Sequence, residues 1–267
     1  NFSRSTYEGG ANFSRSTYQN EVYFNDSTYE DKAEFSSSTY QDKARFSDSN
    51  YRGRADFNSS TYQNEVYFSS STYRGRADFG NSIYLEEADL RRSTYQDEAD
   101  FSGSIFCSEI YFGYGTHSDS FSRFTGCAPQ FYDETKRKNT LFGSHNNDFT
   151  VDTSEGYPID LNSEGLPLGC NFLTTEQKEY LADIFQEIEK INNGEKECVE
   201  DYGETLAFFI FKDRVDFIDW FGDYDDWSCT IEEFTRALLG KKKFLEIVDK
   251  LRSKGAEGII LGCTEIG

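Results

Sequence analysis

Large aromatic residues recur along the first part of the chain with a period of eleven. Phe stands at every eleventh position from residue 2 to residue 79, and Leu90, Phe101 and Phe112 continue the series. Tyr keeps the same period from residue 7 to residue 95, with Phe106 in the next place. Ala or Val lies two positions before nearly every Phe, and Ser lies two positions before each Tyr. Small and large residues therefore alternate in a fixed pattern.

This alternation predicts short strands and not helices. Side chains two positions apart lie on one face of a strand, whereas a helix with a period of 3.6 would distribute them around its axis. An eleven-residue repeat cannot bury its own rings, so neighbouring repeats must stack into a continuous core. The segment Y-R-G-R-A-D-F occurs at 51–57 and again at 73–79, a separation of 22 residues. We therefore predict a solenoid of stacked repeats.

The repeat, as in A-N-F-S-R-S-T-Y-Q-N-E at 11–21, resembles the pentapeptide-repeat family, whose units read A-(D/N)-(L/F)-x-x. The resemblance covers residues 1–112 and implies a mainly β fold, a right-handed quadrilateral β-helix with about 22 residues per coil. Tyr at every second inward position departs from the family, because a buried phenol needs a hydrogen-bond partner. Either serine rows and backbone carbonyls supply that partner, or the Tyr hydroxyls lie at the corners in water.

The period is lost after the repeats. Residues 113–172 are rich in Gly, Ser, Asn and Asp, and we expect them to form an irregular junction or a cap. Residues 173–267 are expected to form a smaller α/β or mostly helical region. The pattern over residues 204–221 predicts a strand or a buried helix, followed by alternating apolar and polar residues. A short helix is predicted over 230–239.

One helix in this C-terminal region has clear boundaries in the sequence. Thr174 or Thr175 can cap its first turn, an apolar stripe follows over residues 180–191, and Gly194 can end it.

The last segment, F-L-E-I-V-D-K-L-R-S-K-G-A-E-G-I-I-L-G-C-T-E-I, resembles the aspartate/glutamate racemase family over residues 244–266. The resemblance implies cofactor-independent proton transfer at an α-carbon by two facing thiols. One thiol would be Cys263, with Thr264 and Glu265 in its motif. The family's other thiol lies in a C-N-T motif that this chain lacks, and Cys170 in G-C-N-F is its nearest counterpart.

Net charge and hydrophobic composition indicate which partners the chain can bind: nucleic acid, membrane or protein. The net charge is −21, of which residues 1–106 carry −6 and the remainder −15. Such a chain repels phosphates, so direct nucleic-acid binding is not expected, while basic protein partners are compatible with it. No apolar run approaches the length of a membrane-spanning helix, and we expect no membrane association.

The cysteines and acidic segments predict no metal site. The six cysteines form no C-x-x-C pair, and neither His117 nor His145 lies at ligand spacing from one of them, so free thiols or disulfides remain. The stretch D-Y-D-D-W-S-C-T-I-E-E-F at 223–234 lacks the central Gly of a calcium loop.

These observations favour a noncatalytic pentapeptide-repeat scaffold that mediates protein–protein interaction, without a cofactor. The alternative is a PLP-independent amino-acid racemase, or a fragment of one, that uses Cys263. A lesser alternative is a DNA mimic that binds a topoisomerase, as some members of the pentapeptide-repeat family do. The oligomeric state and the compartment are open, with the cytoplasm favoured.

Overall fold

A computed structural model describes residues 1–135, 138–202, 206–211, 214–219, 227–230 and 234. The chain divides into two compact units, Asn1–Leu173 and Thr174–Gly267. The first unit is a parallel β-solenoid, as the repeat predicts.

Each corner of the solenoid is followed by a strand of two residues. The strands over residues 1–112 are β1 (Thr6–Tyr7), β2 (Ala11–Asn12), β3 (Thr17–Tyr18), β4 (Val22–Tyr23), β5 (Thr28–Tyr29), β6 (Ala33–Glu34), β7 (Thr39–Tyr40), β8 (Ala44–Arg45), β9 (Asn50–Tyr51), β10 (Ala55–Asp56), β11 (Thr61–Tyr62), β12 (Val66–Tyr67), β13 (Thr72–Tyr73), β14 (Ala77–Asp78), β15 (Ile83–Tyr84), β16 (Ala88–Asp89), β17 (Thr94–Tyr95), β18 (Ala99–Asp100), β19 (Ile105–Phe106) and β20 (Ile110–Tyr111).

These strands form four parallel sheets, one for each side of the coil, and every fourth strand belongs to the same sheet. Pairing joins the same position in successive coils, as in Ala55↔Ala77 and Tyr62↔Tyr84. The backbone amide of Ala55 donates to the carbonyl of Arg76 at 2.9 Å, and equivalent bonds recur in every coil. The prediction of a four-sided coil that contains two repeats per turn is confirmed.

The corner after each Phe requires a left-handed backbone. The second residue after Phe has φ between 55° and 58° at nine successive corners, from Arg4 to Arg92, and Gly103 continues the series at 70°. Only two residues lie between Phe and the next inward Ser, so the chain must turn sharply. Three residues lie between Tyr and the next inward Ala or Val. This longer corner holds the extra residue of each repeat.

The interior consists of four columns of stacked rings. In the two Tyr columns, ring centroids from Tyr7 to Tyr95 lie 4.8 to 5.0 Å apart in nearly parallel planes. This is the spacing of hydrogen-bonded strands, so the backbone register sets the stacking distance. The two Phe columns meet edge to face at the centre, as Phe24 and Phe35 do at 5.0 Å and 72°.

A row of inward serines completes the hydrogen bonding of the corners. The backbone amide of Ser38 donates to Oγ of Ser60 at 3.2 Å, and the single hydrogen of that hydroxyl can be donated to the carbonyl of Phe35 or of Asn58, each at 3.3 Å. The same arrangement repeats from coil to coil. These corner amides would otherwise be buried without a partner, which costs about 1–3 kcal/mol each.

The carbonyls that follow the Phe side chains also accept hydrogen bonds from Tyr hydroxyls. The hydroxyls therefore lie inside the coil and not in water at its corners. The rings of Tyr40 and its neighbours are fully buried, and Tyr40 Oη donates to the carbonyl of Phe35. Such contacts are long, 3.3 to 3.5 Å, and therefore weak. The hydroxyls of Tyr62, Tyr73 and Tyr95 are buried and have no hydrogen-bond partner within 3.5 Å.

The coil continues past the last regular repeat. Further strands are β21 (Arg123–Phe124), β22 (Tyr132–Asp133), β23 (Lys138–Asn139), β24 (Leu141–Phe142) and β25 (Asn171–Phe172), with a 3₁₀ turn at Ser118–Ser120. β21 pairs with β17, and β24 pairs with β19 and β25, in the sheets already formed by the repeats. The region 113–172 thus contains solenoid strands separated by long corners.

The second unit, in its described residues, combines a helix with an antiparallel sheet. The helix α1 (Thr175–Asn192) begins with a reciprocal cap, in which Thr174 Oγ1 accepts from the amide of Gln177 and the Gln177 side chain accepts from the amide of Thr174. Gly194 follows it with φ 75°, so the predicted start and stop are confirmed. The sheet consists of β26 (Val199–Tyr202), β27 (Leu206–Ile210), β28 (Arg214–Asp219) and β29 (Trp227–Thr230) in that order. The helix predicted over 230–239 lies almost wholly outside the described residues.

The unpartnered hydroxyls generate a stability prediction. Tyr62→Phe removes a buried hydroxyl that has no hydrogen-bond partner within 3.5 Å, so we expect it to raise the free energy of unfolding by less than about 1 kcal/mol. Tyr40→Phe is the matched control in the adjoining coil of the same column, and we expect no gain there because it removes a bond to Phe35. The same column already contains a Phe in place of Tyr at Phe106, whose ring centroid lies 4.4 Å from that of Tyr84.

Urea unfolding followed by circular dichroism measures both variants. An equal change for the two would contradict the assignment of the hydroxyl contacts.

Candidate functional site

The most distinctive surface of the first unit lies where long corners interrupt the coil. Paired positions in the regular coils are two repeats apart, as in Ala77↔Ala99. The sequence separation between paired residues is larger at the bridge Asp100↔Gln130, and it is larger again at the pair Ile105↔Leu141. The inserted residues leave the coil and form loops on its surface. Loops held by a rigid scaffold are the usual position of binding residues.

Three of these segments enclose a cleft of about 920 Å³. Its walls are the corner at residues 97–98, the segment 127–135 and residues 158–160 and 167–169 of the following loop. All of them belong to the first unit. We refer to this feature as the proline cleft.

The apolar part of the proline cleft consists mainly of prolines and aliphatic side chains. The three prolines of the whole chain, Pro129, Pro158 and Pro167, all line it, although they are far apart in sequence. Ile159 lies beside them, and Leu168 is 55% exposed. Proline has few conformations to lose, so the prolines of this surface lose little conformational entropy when a ligand binds.

The charged part of the cleft is acidic. Five carboxylates line it, those of Asp97, Glu98, Asp133, Glu134 and Asp160, and none of the described lining residues is Lys, Arg or His. Glu98 pairs with Arg76 at 3.5 Å, whereas Asp97, Glu134 and Asp160 form no ion pair with any described cation.

The thiol of Cys127, also in the wall, experiences this negative charge. Burial, followed by the charges of Glu98 and Asp97, raises the pKa of Cys127, because each of these effects disfavours the thiolate. The described lining of the cleft is therefore negatively charged and disfavours the thiolate form of Cys127.

Local hydrogen bonds hold the loop that forms one wall. Oδ1 of Asn162 accepts from the amides of Glu164 and Leu166 at 2.9 and 3.0 Å, and the Asn162 amide donates to the carbonyl of Leu166 at 2.7 Å. Gly169 has φ 77°, and a Cβ there would lie 2.8 Å from the ring of Tyr132. The loop thus packs directly on Tyr132 of β22, within the first unit.

A second, smaller cleft of about 390 Å³ lies under the loop at residues 114–120. Arg91 lies in it but is bound to Asp89 through two nitrogens at 2.8 and 2.9 Å, and Arg92, His117 and Asp119 complete a mixture of both charges. Its charges largely neutralise one another, so it has less electrostatic character than the proline cleft.

The residues that the sequence proposed for racemase chemistry are not assembled into a described site. Cys263, Thr264 and Glu265 lie outside the described residues, as do all five acidic positions at 223–234. Cys170, the nearest counterpart of the second thiol, is 2% exposed in the solenoid core, and its Sγ lies 3.6 Å from the carbonyl of Phe131. Burial raises the pKa of Cys170 to about 12. A thiol in that state cannot act as a base near neutral pH.

Other chemistry is also without a described centre. The five described cysteines form no disulfide. Within the described residues, no three His, Cys, Asp or Glu side chains are grouped as metal ligands. None of the helices described has the length and apolarity needed to cross a bilayer.

Comparison with known proteins gives no family: no family model, no curated protein and no solved structure matches this chain. The function must therefore be inferred from the surface of the molecule alone.

The proline cleft could not be found from the sequence because its residues come together only through the coil. One signal was present, since the only prolines of the chain all fall between Cys127 and Cys170. The sequence does not show that residues 130 and 141 pair with the preceding coil, and without that pairing the three prolines cannot be placed on one surface.

The state of Cys170 yields a prediction about the racemase alternative. Since two-base racemisation needs a second ionisable thiol, we expect no deuterium incorporation at the α-carbon of aspartate or glutamate when the chain is incubated with either in D₂O. Proton NMR of the amino acid measures it, with Cys263→Ser as the matched control. Exchange that Cys263→Ser abolishes would establish the racemase and overturn this expectation.

Proposed function

We propose that this chain is a noncatalytic scaffold that binds a protein partner in the proline cleft. The β-solenoid with its regular Phe and Tyr columns fits a repeat scaffold. The observation that carries the proposal is the convergence of the chain's three prolines with exposed aliphatic surface in one cleft of about 920 Å³. Concave, partly apolar surfaces of this size are typical of binding sites.

The rigidity of the surrounding structure supports the same function. The coil behind the cleft is held by backbone bonds in every turn, and the loop at 161–167 is held by Asn162. A surface that is ordered before binding loses little conformational entropy on association.

The DNA-mimic alternative gains less support from the solenoid. Its acids alternate with bases along the surface: Arg54 lies 3.1 Å from both Asp56 and Asp78, and Arg76 lies 2.9 Å from Asp100. A mimic of duplex DNA needs rows of uncompensated negative charge, and these ion pairs interrupt such rows.

Selection of binding peptides from a random displayed library tests the proposed function. We expect the immobilised full chain to enrich peptides whose binding is lost in the Leu168→Asp variant, since a buried carboxylate in the apolar part of the cleft is unfavourable. Leu161→Asp is the matched control, because Leu161 is 46% exposed in the same loop but does not line the cleft.

Circular dichroism of each variant first establishes that the fold is retained. Enriched peptides that bind Leu168→Asp as well as the unmodified chain would contradict binding in the proline cleft.

A further inference from the structure

We propose that the partner segment bound by the proline cleft is basic, with Lys or Arg residues flanking one large apolar side chain. This inference rests on the proposed function and adds the chemistry of the ligand. Two features of the cleft lead to it: carboxylates that pair with no described cation, and the apolar floor formed by Pro129, Ile159 and Pro167.

The carboxylates determine the charge of the ligand. Asp97 lies at one wall, Glu134 at the second and Asp160 at the third, so negative charge surrounds the cleft on all described sides. None of the three is neutralised by a described cation, unlike the solenoid acids that pair with Arg54 and Arg76. Residues 136–137 lie outside the described residues. Cationic side chains that enter the cleft therefore meet carboxylates that pair with no described cation.

The apolar floor determines the central residue of the ligand. Pro129, Ile159 and Pro167 supply hydrophobic surface in the same lining as the carboxylates, and Leu168 is 55% exposed. Burial of one large apolar side chain on this surface gives affinity that charge alone does not, because exposed ion pairs are individually weak.

The same electrostatics disfavour other occupants. A second copy of this chain would bring a further net charge of −21, and nucleic acid would bring phosphates to a surface of the same sign. An acidic or purely apolar protein segment would bring no cation to the three carboxylates.

Fluorescence anisotropy with synthetic peptides on the full chain tests the proposal. The probe is a fluorescein-labelled G-R-K-S-L-W-S-K-R-G, compared with G-E-E-S-L-W-S-E-E-G and with G-R-K-S-G-S-S-K-R-G. We expect saturable binding of the first peptide at about 150 mM salt, and binding at least about tenfold weaker for each of the others, since one lacks the charge and the other lacks the apolar anchor.

Two double variants of the chain locate the binding. Glu134→Lys with Asp160→Lys changes the charge at the cleft, whereas Asp26→Lys with Asp48→Lys makes the same change at two exposed acids that do not line it. We expect the first pair to weaken binding of the basic peptide by roughly tenfold or more and the second pair to change it less than about twofold. Equal weakening by both pairs would show attraction to overall charge and overturn the proposal.

These experiments distinguish failure of the basic-ligand proposal from failure of the proposed function. If library peptides bind in the cleft but are acidic or uncharged, the cleft is a protein-binding site and the basic ligand is wrong. If no peptide binding depends on Leu168, the proposed function fails and the present inference fails with it.

Discussion

The backbone hydrogen bond between residues about one coil apart is the constraint on which the rest of the structure depends. It fixes adjacent coils at the spacing of paired strands, and that spacing is also a favourable distance between stacked rings. Each Tyr therefore stacks on the Tyr of the next coil at 4.8 to 5.0 Å without any further requirement on the side chain. The repeat needs only a small inward residue, a large aromatic one and corners of fixed length.

Corners are the one place where this constraint is relaxed. A corner can lengthen without changing the strand that follows, because the next strand needs only to regain its register with the coil beneath it. In the last coil Gln130 pairs with Asp100, and Leu141 pairs with Ile105, after insertions of different lengths. The same insertions form the walls of the proline cleft. The periodic part of the chain thus supplies rigidity, and the departures from the period supply a surface with its own chemistry.

The sequence was sufficient for the parts of the fold that repeat. The strands and the inward rings followed from spacing. The coil of two repeats followed from the resemblance to the pentapeptide-repeat family, with which the copies 22 residues apart agree, and the helix start at Thr174 or Thr175 followed from a local motif. The continuation beyond Phe112 did not, because the insertions remove Phe124, Phe131 and Phe142 from the eleven-residue period although all three are buried in the same core. The position of the Tyr hydroxyls depended on distances of a few tenths of an ångström, which no pattern encodes. The cleft depended on contacts between residues far apart in sequence, at a register that only the coil defines.

Scalar couplings across backbone hydrogen bonds, measured by NMR on the isotope-labelled chain, test the central constraint most directly. The structure predicts couplings from the amide nitrogen of Ala33 to the carbonyl carbon of Arg54 and from that of Ala55 to Arg76, each linking one coil to the next. The same step should recur along the whole solenoid. Couplings between residues four apart, or between antiparallel partners, would contradict the coil and with it the aromatic columns and the cleft.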